Sequence, residues 1–260
     1  MDVGSAEAEA EAGRRPEREQ GRAASRGPTN AREGGPSGAR ASRRAGPRAF
    51  TPPRWLKYVV FALSLLPFLF VAFAIASDFF TGTRHLGSNP IKEAEHFTGK
   101  WTLRFLILSL SVTPAVKLLR QGWLIGYRRT FGLFAFFYAC THLVIYAVLD
   151  VELTWSDMVA DVLDRVYITI GMTALLLLVP LAVTSTKGWI RRLGNRRWNA
   201  LHRLVYVVVV LGNIHYWMSV KRDVREPIIF SAIFVALLGW RVWWARREAA
   251  RRTAREALAA

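Results

Sequence analysis

From Trp55 onward the chain is a succession of long apolar runs parted by short polar links. A helix needs roughly 20 mainly apolar residues to cross about 30 Å of hydrocarbon. The runs 55–77, 101–119, 130–149, 166–186, 201–220 and 227–245 come up to that length. Within lipid a segment must satisfy its own backbone, which a helix does and an open strand does not. The predicted fold class is therefore all-α, an integral membrane bundle of six transmembrane helices. No internal repeat of the kind that builds transporters is visible.

Composition agrees once charge is placed along the chain. Apolar residues make up 52% of the 260, yet the formal net charge is +17. A soluble domain spreads charge over its surface; here it is segregated. Residues 1–54 hold no apolar run and are rich in Arg, Ala, Gly, Pro and Glu, a composition that cannot offset ordering entropy. They are expected to form a disordered basic tail, with the membrane domain over 55–245 and a C-terminal tail over 246–260. Arg43 and Arg44 ahead of an apolar run resemble a twin-arginine signal. The run from Tyr58 to Ala76 exceeds a signal's apolar region, so it reads as a retained first span. Basic residues gather at the ends of apolar runs, the pattern of membrane orientation and not of nucleic-acid binding. A lone cysteine, Cys140, leaves no intramolecular disulfide and no cysteine-based metal cluster.

The links sort by charge. Residues 117–129 carry Lys117, Arg120, Arg128 and Arg129 with no acid, and 187–203 carry six basic residues, again with none. The link 150–165 holds Asp150, Glu152, Asp157, Asp161 and Asp164 against Arg165 alone. By the positive-inside rule the first two links are cytoplasmic, and both termini lie on the same side. Eight tryptophans fall near the predicted interfaces, as an aromatic belt places them.

Histidine is expensive in lipid unless something satisfies it. His142 in span three stands twelve residues past Thr130, and His215 in span five fourteen past Leu201. At 1.5 Å per residue these are about 18 and 21 Å, so the two lie at similar depth on parallel spans. Two neutral imidazoles at one depth suit the two faces of a haem iron, whose apolar macrocycle fits between apolar helices. His202 lies at the cytoplasmic end, about 20 Å from His215, with no histidine opposite it. On one unbroken helix the two would also stand about 140° apart around the axis. Zinc is disfavoured by the lack of acids in the spans and of an HExxH motif. The alternative for each histidine is a hydrogen bond to a neighbouring helix.

Four stretches carry a resemblance: NPIKEAEHFTGKWTLRF (89–105), RRTFGLFAFFYACTHL (128–143), TSTKGWIRRLGNRRWNALHRLVY (184–206) and IHYWMSVK (214–221). Together they resemble the MsrQ family, the haem-binding membrane subunits of the protein-methionine-sulfoxide reductase system, related to ferric reductase transmembrane domains. The resemblance covers roughly 55–245. It implies one or two haems b held by His142, His202 and His215, a bound flavin mononucleotide (FMN), and location in a bacterial inner membrane. It also implies electrons drawn from the quinone pool or a cytoplasmic flavin reductase. They would pass to a periplasmic molybdopterin-dependent methionine-sulfoxide reductase of the MsrP type. Wider relatives offer four histidines in two pairs, and this chain lacks the fourth.

Arg128, Arg129, Arg191, Arg192, Arg196 and Arg197 form a basic rim. They serve as orientation signals toward anionic lipid headgroups. As cofactor contacts, Arg128, Arg129, Arg191 and Arg196 offer guanidinium forks to haem propionates or flavin phosphate. No phosphate loop or dinucleotide fingerprint is present, so electrons must come from another protein or from the membrane. Two other readings compete: a self-contained transmembrane ferric reductase, and a small transporter with structural histidines. The orientation is open to direct test. A reporter active only outside the cytoplasm is expected to work when fused near Asp157 and to fail near Asn195; the reverse pattern overturns the assignment.

Overall fold

A computed structural model describes residues 52–259 except 153 and 222. The tail expected over 1–54 lies outside the described residues as far as position 51. Among the described residues the chain is helical throughout, with eight α-helices and no strand. They are α1 (Trp55–Thr81), α2 (Pro90–Leu119), α3 (Ile125–Ile145), α4 (Trp155–Asp164), α5 (Val166–Val183), α6 (Lys187–Leu201), α7 (Leu204–Ser219) and α8 (Arg225–Ala259). A single 3-10 turn leads into α3, and a π-turn over Tyr146–Asp150 leaves it.

Helix ends follow local chemistry. At α2 the Asn89 side chain accepts from the Lys92 amide at 3.2 Å, and Pro90 occupies the first turn, where no N–H is needed. Thr186 caps α6 through the Trp189 amide. Gly194, at φ 71°, breaks α6 into two short pieces.

Five helical segments are long and apolar enough to cross a membrane: α1, α2, Gly122–Asp150 around α3, α5 and α8. The sixth expected span is shorter. The chain turns at His202 and Arg203, leaving α7 with 16 residues, about 24 Å of helix. Two links read as loops are helices. The acidic link contains α4, and the basic link is mostly α6. Helix α8 runs unbroken past 245, the expected end of its span, to Ala259.

The bundle is built on two antiparallel pairs, α2 with α3 and α5 with α7. Between them lies a core of Phe105, Leu106, Leu110, Phe134, Tyr138 and Val208, all under a tenth exposed. Phe105 stacks on Tyr138 at 5.2 Å and on Phe134 at 5.4 Å. The outward faces stay apolar: Phe61, Leu63, Leu66 and Phe73 on α1 are all more than half exposed. Surface of that kind calls for lipid as its solvent.

Three spans contain a proline in their interior, where it removes a backbone donor and kinks the helix. Two of the gaps are filled from neighbouring helices. At Pro67 the Tyr138 hydroxyl enters the opened turn of α1, donating to Ser64 C=O at 2.8 Å and accepting from Phe68 N–H at 2.9 Å. Pro114 cannot donate to Leu110 C=O four residues back; Arg241 of α8 donates to it instead, at 2.7 Å. Tyr138→Phe strips two buried backbone groups of their partner. The loss is expected to destabilise the protein by about 1–3 kcal/mol, read as a lowered Tm in detergent. An unchanged Tm would show that the kink closes on itself.

Candidate functional site

His142, in the last turn of α3, and His215, four residues before the end of α7, meet at the same end of the bundle. Their ring centres are 6.1 Å apart, with planes at 78°. Each ring is fixed by its Nδ1. His142 Nδ1 lies 2.9 Å from the Glu95 backbone carbonyl of α2, and His215 Nδ1 lies 2.6 Å from that of Tyr167 in α5. A carbonyl only accepts, so both Nδ1 atoms carry the proton and both Nε2 atoms hold a lone pair. Neither Nε2 makes a hydrogen bond among the described residues. Donation of one ring N–H to a carbonyl is the arrangement that orients an imidazole for metal binding through the other nitrogen.

The two cradles are built alike. Four residues after each carbonyl donor-holder stands a glycine on the same face of the helix: Gly99 after Glu95, Gly171 after Tyr167. A methyl group on Gly171 would come within 2.7 Å of His215 Nδ1; on Gly99 it would sit 3.5 Å from the His142 ring. Gly171 therefore admits the imidazole onto its helix, whereas Gly99 merely allows ordinary contact. A side-chain pattern does not reveal a backbone acceptor, so Glu95 and Tyr167 escape a reading of the sequence. The glycines were its available signal.

Both histidines line a cavity of about 800 Å³, within the range of small-molecule and cofactor sites. Its depth is walled by Leu103, Leu106, Leu178 and Val208. Its mouth is polar and tied by ion pairs. Lys92 lies 2.7 Å from Asp150 and 3.2 Å from Glu95, and Arg165 lies 3.0 Å from Asp161. Lys100 bridges to Glu226 at 3.1 Å, and Glu226 accepts from the Tyr216 hydroxyl at 2.6 Å. These bonds join α2, α7 and α8 beside His215.

The remaining candidates lie elsewhere. His202 stands in the turn before α7, not on one helix with His215, so the angular offset expected around a shared axis does not arise. It stacks on Trp198 at 3.9 Å, and its Nε2 meets Thr184 Oγ1 at 3.2 Å. That hydroxyl donates to Pro180 C=O at 2.6 Å, so His202 must donate from Nε2. Arg128 begins the other end of α3, roughly 21 Å along the helix from His142. It is half-buried, while Arg129, Arg191 and Arg196 are exposed, and none lines the cavity. Among the described residues no group of three or more His, Cys, Asp or Glu forms a metal cluster.

In chemical terms the site offers two neutral nitrogen donors facing one apolar space. Two metal–nitrogen bonds of about 2.0–2.1 Å, each extended by roughly 1 Å from nitrogen to ring centre, sum to roughly 6 Å. The observed separation matches that span. The protein family described as ferric reductase like transmembrane component matches residues 98–213, a range that includes His142 and ends two residues before His215. Relatives that align over most of the chain agree. The protein-methionine-sulfoxide reductase heme-binding subunit MsrQ of Xanthomonas oryzae pv. oryzae (strain MAFF 311018) is 45% identical over 201 residues, 76% of this chain and 92% of that protein. The protein of that name from Xanthomonas campestris pv. campestris (strain 8004) is 46% identical over 197 residues, 76% and 89% of the two chains. That of Caulobacter vibrioides is 49% identical over 166 residues, 64% and 79%. With identity of this order over nearly the full length of such relatives, the chain belongs to the MsrQ family.

Proposed function

We propose that this protein is a haem-binding membrane subunit that carries electrons across a bacterial inner membrane to a methionine-sulfoxide reductase. The observation that carries this reading is the pair His142 and His215, each locked through Nδ1 and each presenting Nε2 to one cavity. The donor set fits a haem iron: two neutral imidazoles at the right separation, in a space large enough and apolar enough for a macrocycle. A haem b held there by His142 and His215 would supply a one-electron carrier. The chain's own residues do the rest. Glu95 and Tyr167 fix the tautomers, Gly171 admits the His215 ring, and the leucine-lined depth keeps water out.

In this reading α7 is the sixth crossing, and both termini lie in the cytoplasm, as the basic links direct. The cavity then opens toward the periplasm, where a soluble molybdopterin-dependent reductase of the MsrP type takes the electrons. The opposite end, with His202, Arg128, Arg129, Arg191 and Arg196, receives them from quinol or a flavin reductase. Its guanidinium groups suit the phosphate of FMN or the propionates of a second haem. The relatives' printed name supports haem and the methionine-sulfoxide reductase system.

The competing reading is direct ferric reductase activity, favoured by the family description over 98–213. Reoxidation of dithionite-reduced protein separates the two. It is expected to be fast with an MsrP-type reductase and methionine sulfoxide, and slow with chelated ferric iron; the opposite order selects the ferric reductase.

Two sets of variants test the site. His142→Ala and His215→Ala are expected to remove the same Soret component, with the double variant little worse than either. Additive, unequal losses would break the pairing. Gly171→Ala is expected to lower haem content sharply, because its methyl group displaces the His215 ring, whereas Gly99→Ala stays near wild type. Equal haem content in both, measured per mole of protein, would contradict the cradle.

A further inference from the structure

Helix α4 has a face that the bundle leaves uncovered. Its ten residues run WSDMVADVLD, and at 100° per residue they divide into three sectors. Met158, Asp161 and Val162 turn toward the protein and are partly buried. Asp161 accepts from the Tyr146 hydroxyl at 2.8 Å and pairs with Arg165 at 3.0 Å; the Val162 carbonyl accepts from Thr169. Ser156, Asp157 and Asp164 form an exposed polar sector. Between these two sectors lie Trp155, Val159 and Leu163, spaced i, i+4 and i+8, exposed by 76%, 56% and 76%.

The position of the helix narrows what can cover that stripe. Only Arg165, in extended conformation, separates α4 from α5, so the chain turns a corner at the end of a membrane-crossing segment. The bond from Tyr146 pins α4 beside the π-turn that ends the preceding segment. The helix thus lies where two spans leave the apolar slab. Its stripe continues into Val166, the first residue of α5, which is 61% exposed, and faces outward as Val144 and Val148 do at 56% and 42%. A helix at that level with protein on one side and a polar sector on another has its third sector toward lipid.

We infer that α4 is an interfacial helix, lying in the headgroup region of one leaflet with Trp155, Val159 and Leu163 inserted among the acyl chains. Apolar burial holds it there, with tryptophan at the depth this side chain prefers. Attraction to anionic headgroups contributes nothing, because the polar sector is acidic. The anchor bears on the neighbouring site. The Arg165 corner leads directly to Tyr167, whose carbonyl holds His215, so a helix fixed to the membrane surface steadies that carbonyl. The inference stands apart from haem binding.

Single cysteines at 157, 159, 163 and 164, in a Cys140→Ala background of the full chain, are labelled with a fluorophore and reconstituted into phosphatidylcholine vesicles. Quenching by bromolipids is compared with quenching by aqueous iodide. The lipid-to-water ratio is expected to be several-fold higher at Val159→Cys and Leu163→Cys than at Asp157→Cys and Asp164→Cys. Equal ratios at all four positions would overturn the inference and leave the stripe free for a soluble protein. An unchanged helical circular-dichroism spectrum and gel-filtration position of each labelled variant in detergent confirm that the fold is intact.

Discussion

The structure depends on two hydrogen bonds from imidazole N–H to backbone carbonyl. An imidazole has one nitrogen that donates and one that accepts, and lipid satisfies neither. Glu95 C=O and Tyr167 C=O take the donor of His142 and His215, at 2.9 and 2.6 Å. That leaves an unmet acceptor on each ring, pointed into the same cavity. The pairing of helices follows from it. Each histidine belongs to one member of an antiparallel pair and each carbonyl to the other, α3 with α2 and α7 with α5. Glycine one turn beyond the carbonyl lets the ring approach, with no margin at Gly171. Two separate parts of the chain reach the same local solution, although no repeat is visible in their residues.

The same logic governs the prolines. A proline in a membrane helix costs a hydrogen bond that bulk water is not there to replace, and at two of the prolines a neighbouring helix supplies one. The Tyr138 hydroxyl serves both sides of the opened turn at Pro67. Arg241 reaches Leu110 C=O above Pro114 while its guanidinium lies against Tyr206. Each kink thereby becomes a fixed contact between helices: α1 with α3 in one case, α2 with α8 in the other. Among the described residues, a bundle tied in this way holds its two histidines in register without ion pairs in its depth; four of the five ion pairs gather at the cavity mouth and the fifth, Arg252–Glu248, lies on the exposed end of α8.

Much of this was legible in the residues. Length and hydropathy place the apolar segments, and counting residues from the span ends puts His142 and His215 at one depth. The rings do meet in the structure. Less legible was what decides the second half of the chain. The acids of 150–165 outweigh the helical spacing of Trp155, Val159 and Leu163, so α4 reads as a loop. The arginines of 187–203 hide α6 in the same way, although Thr186 is a plain N-cap. The turn at His202 and Arg203 has no strong marker, and without it His202 and His215 seem to share one helix. Backbone acceptors are invisible to any reading of side chains, and the holders of the two imidazoles are both of that kind.

The central claim is that His142 and His215 bind one iron between them. Electron paramagnetic resonance of the oxidised, haem-loaded protein tests it most directly. Two imidazole ligands give a low-spin ferric centre. Ring planes near perpendicular, 78° here, leave the iron's two π-type orbitals nearly equal in energy, which yields a strongly anisotropic signal with one very large g value. That signal is expected in the wild type and absent from both His142→Ala and His215→Ala. A high-spin signal in the wild type, or a low-spin signal surviving either substitution unchanged, would contradict the account.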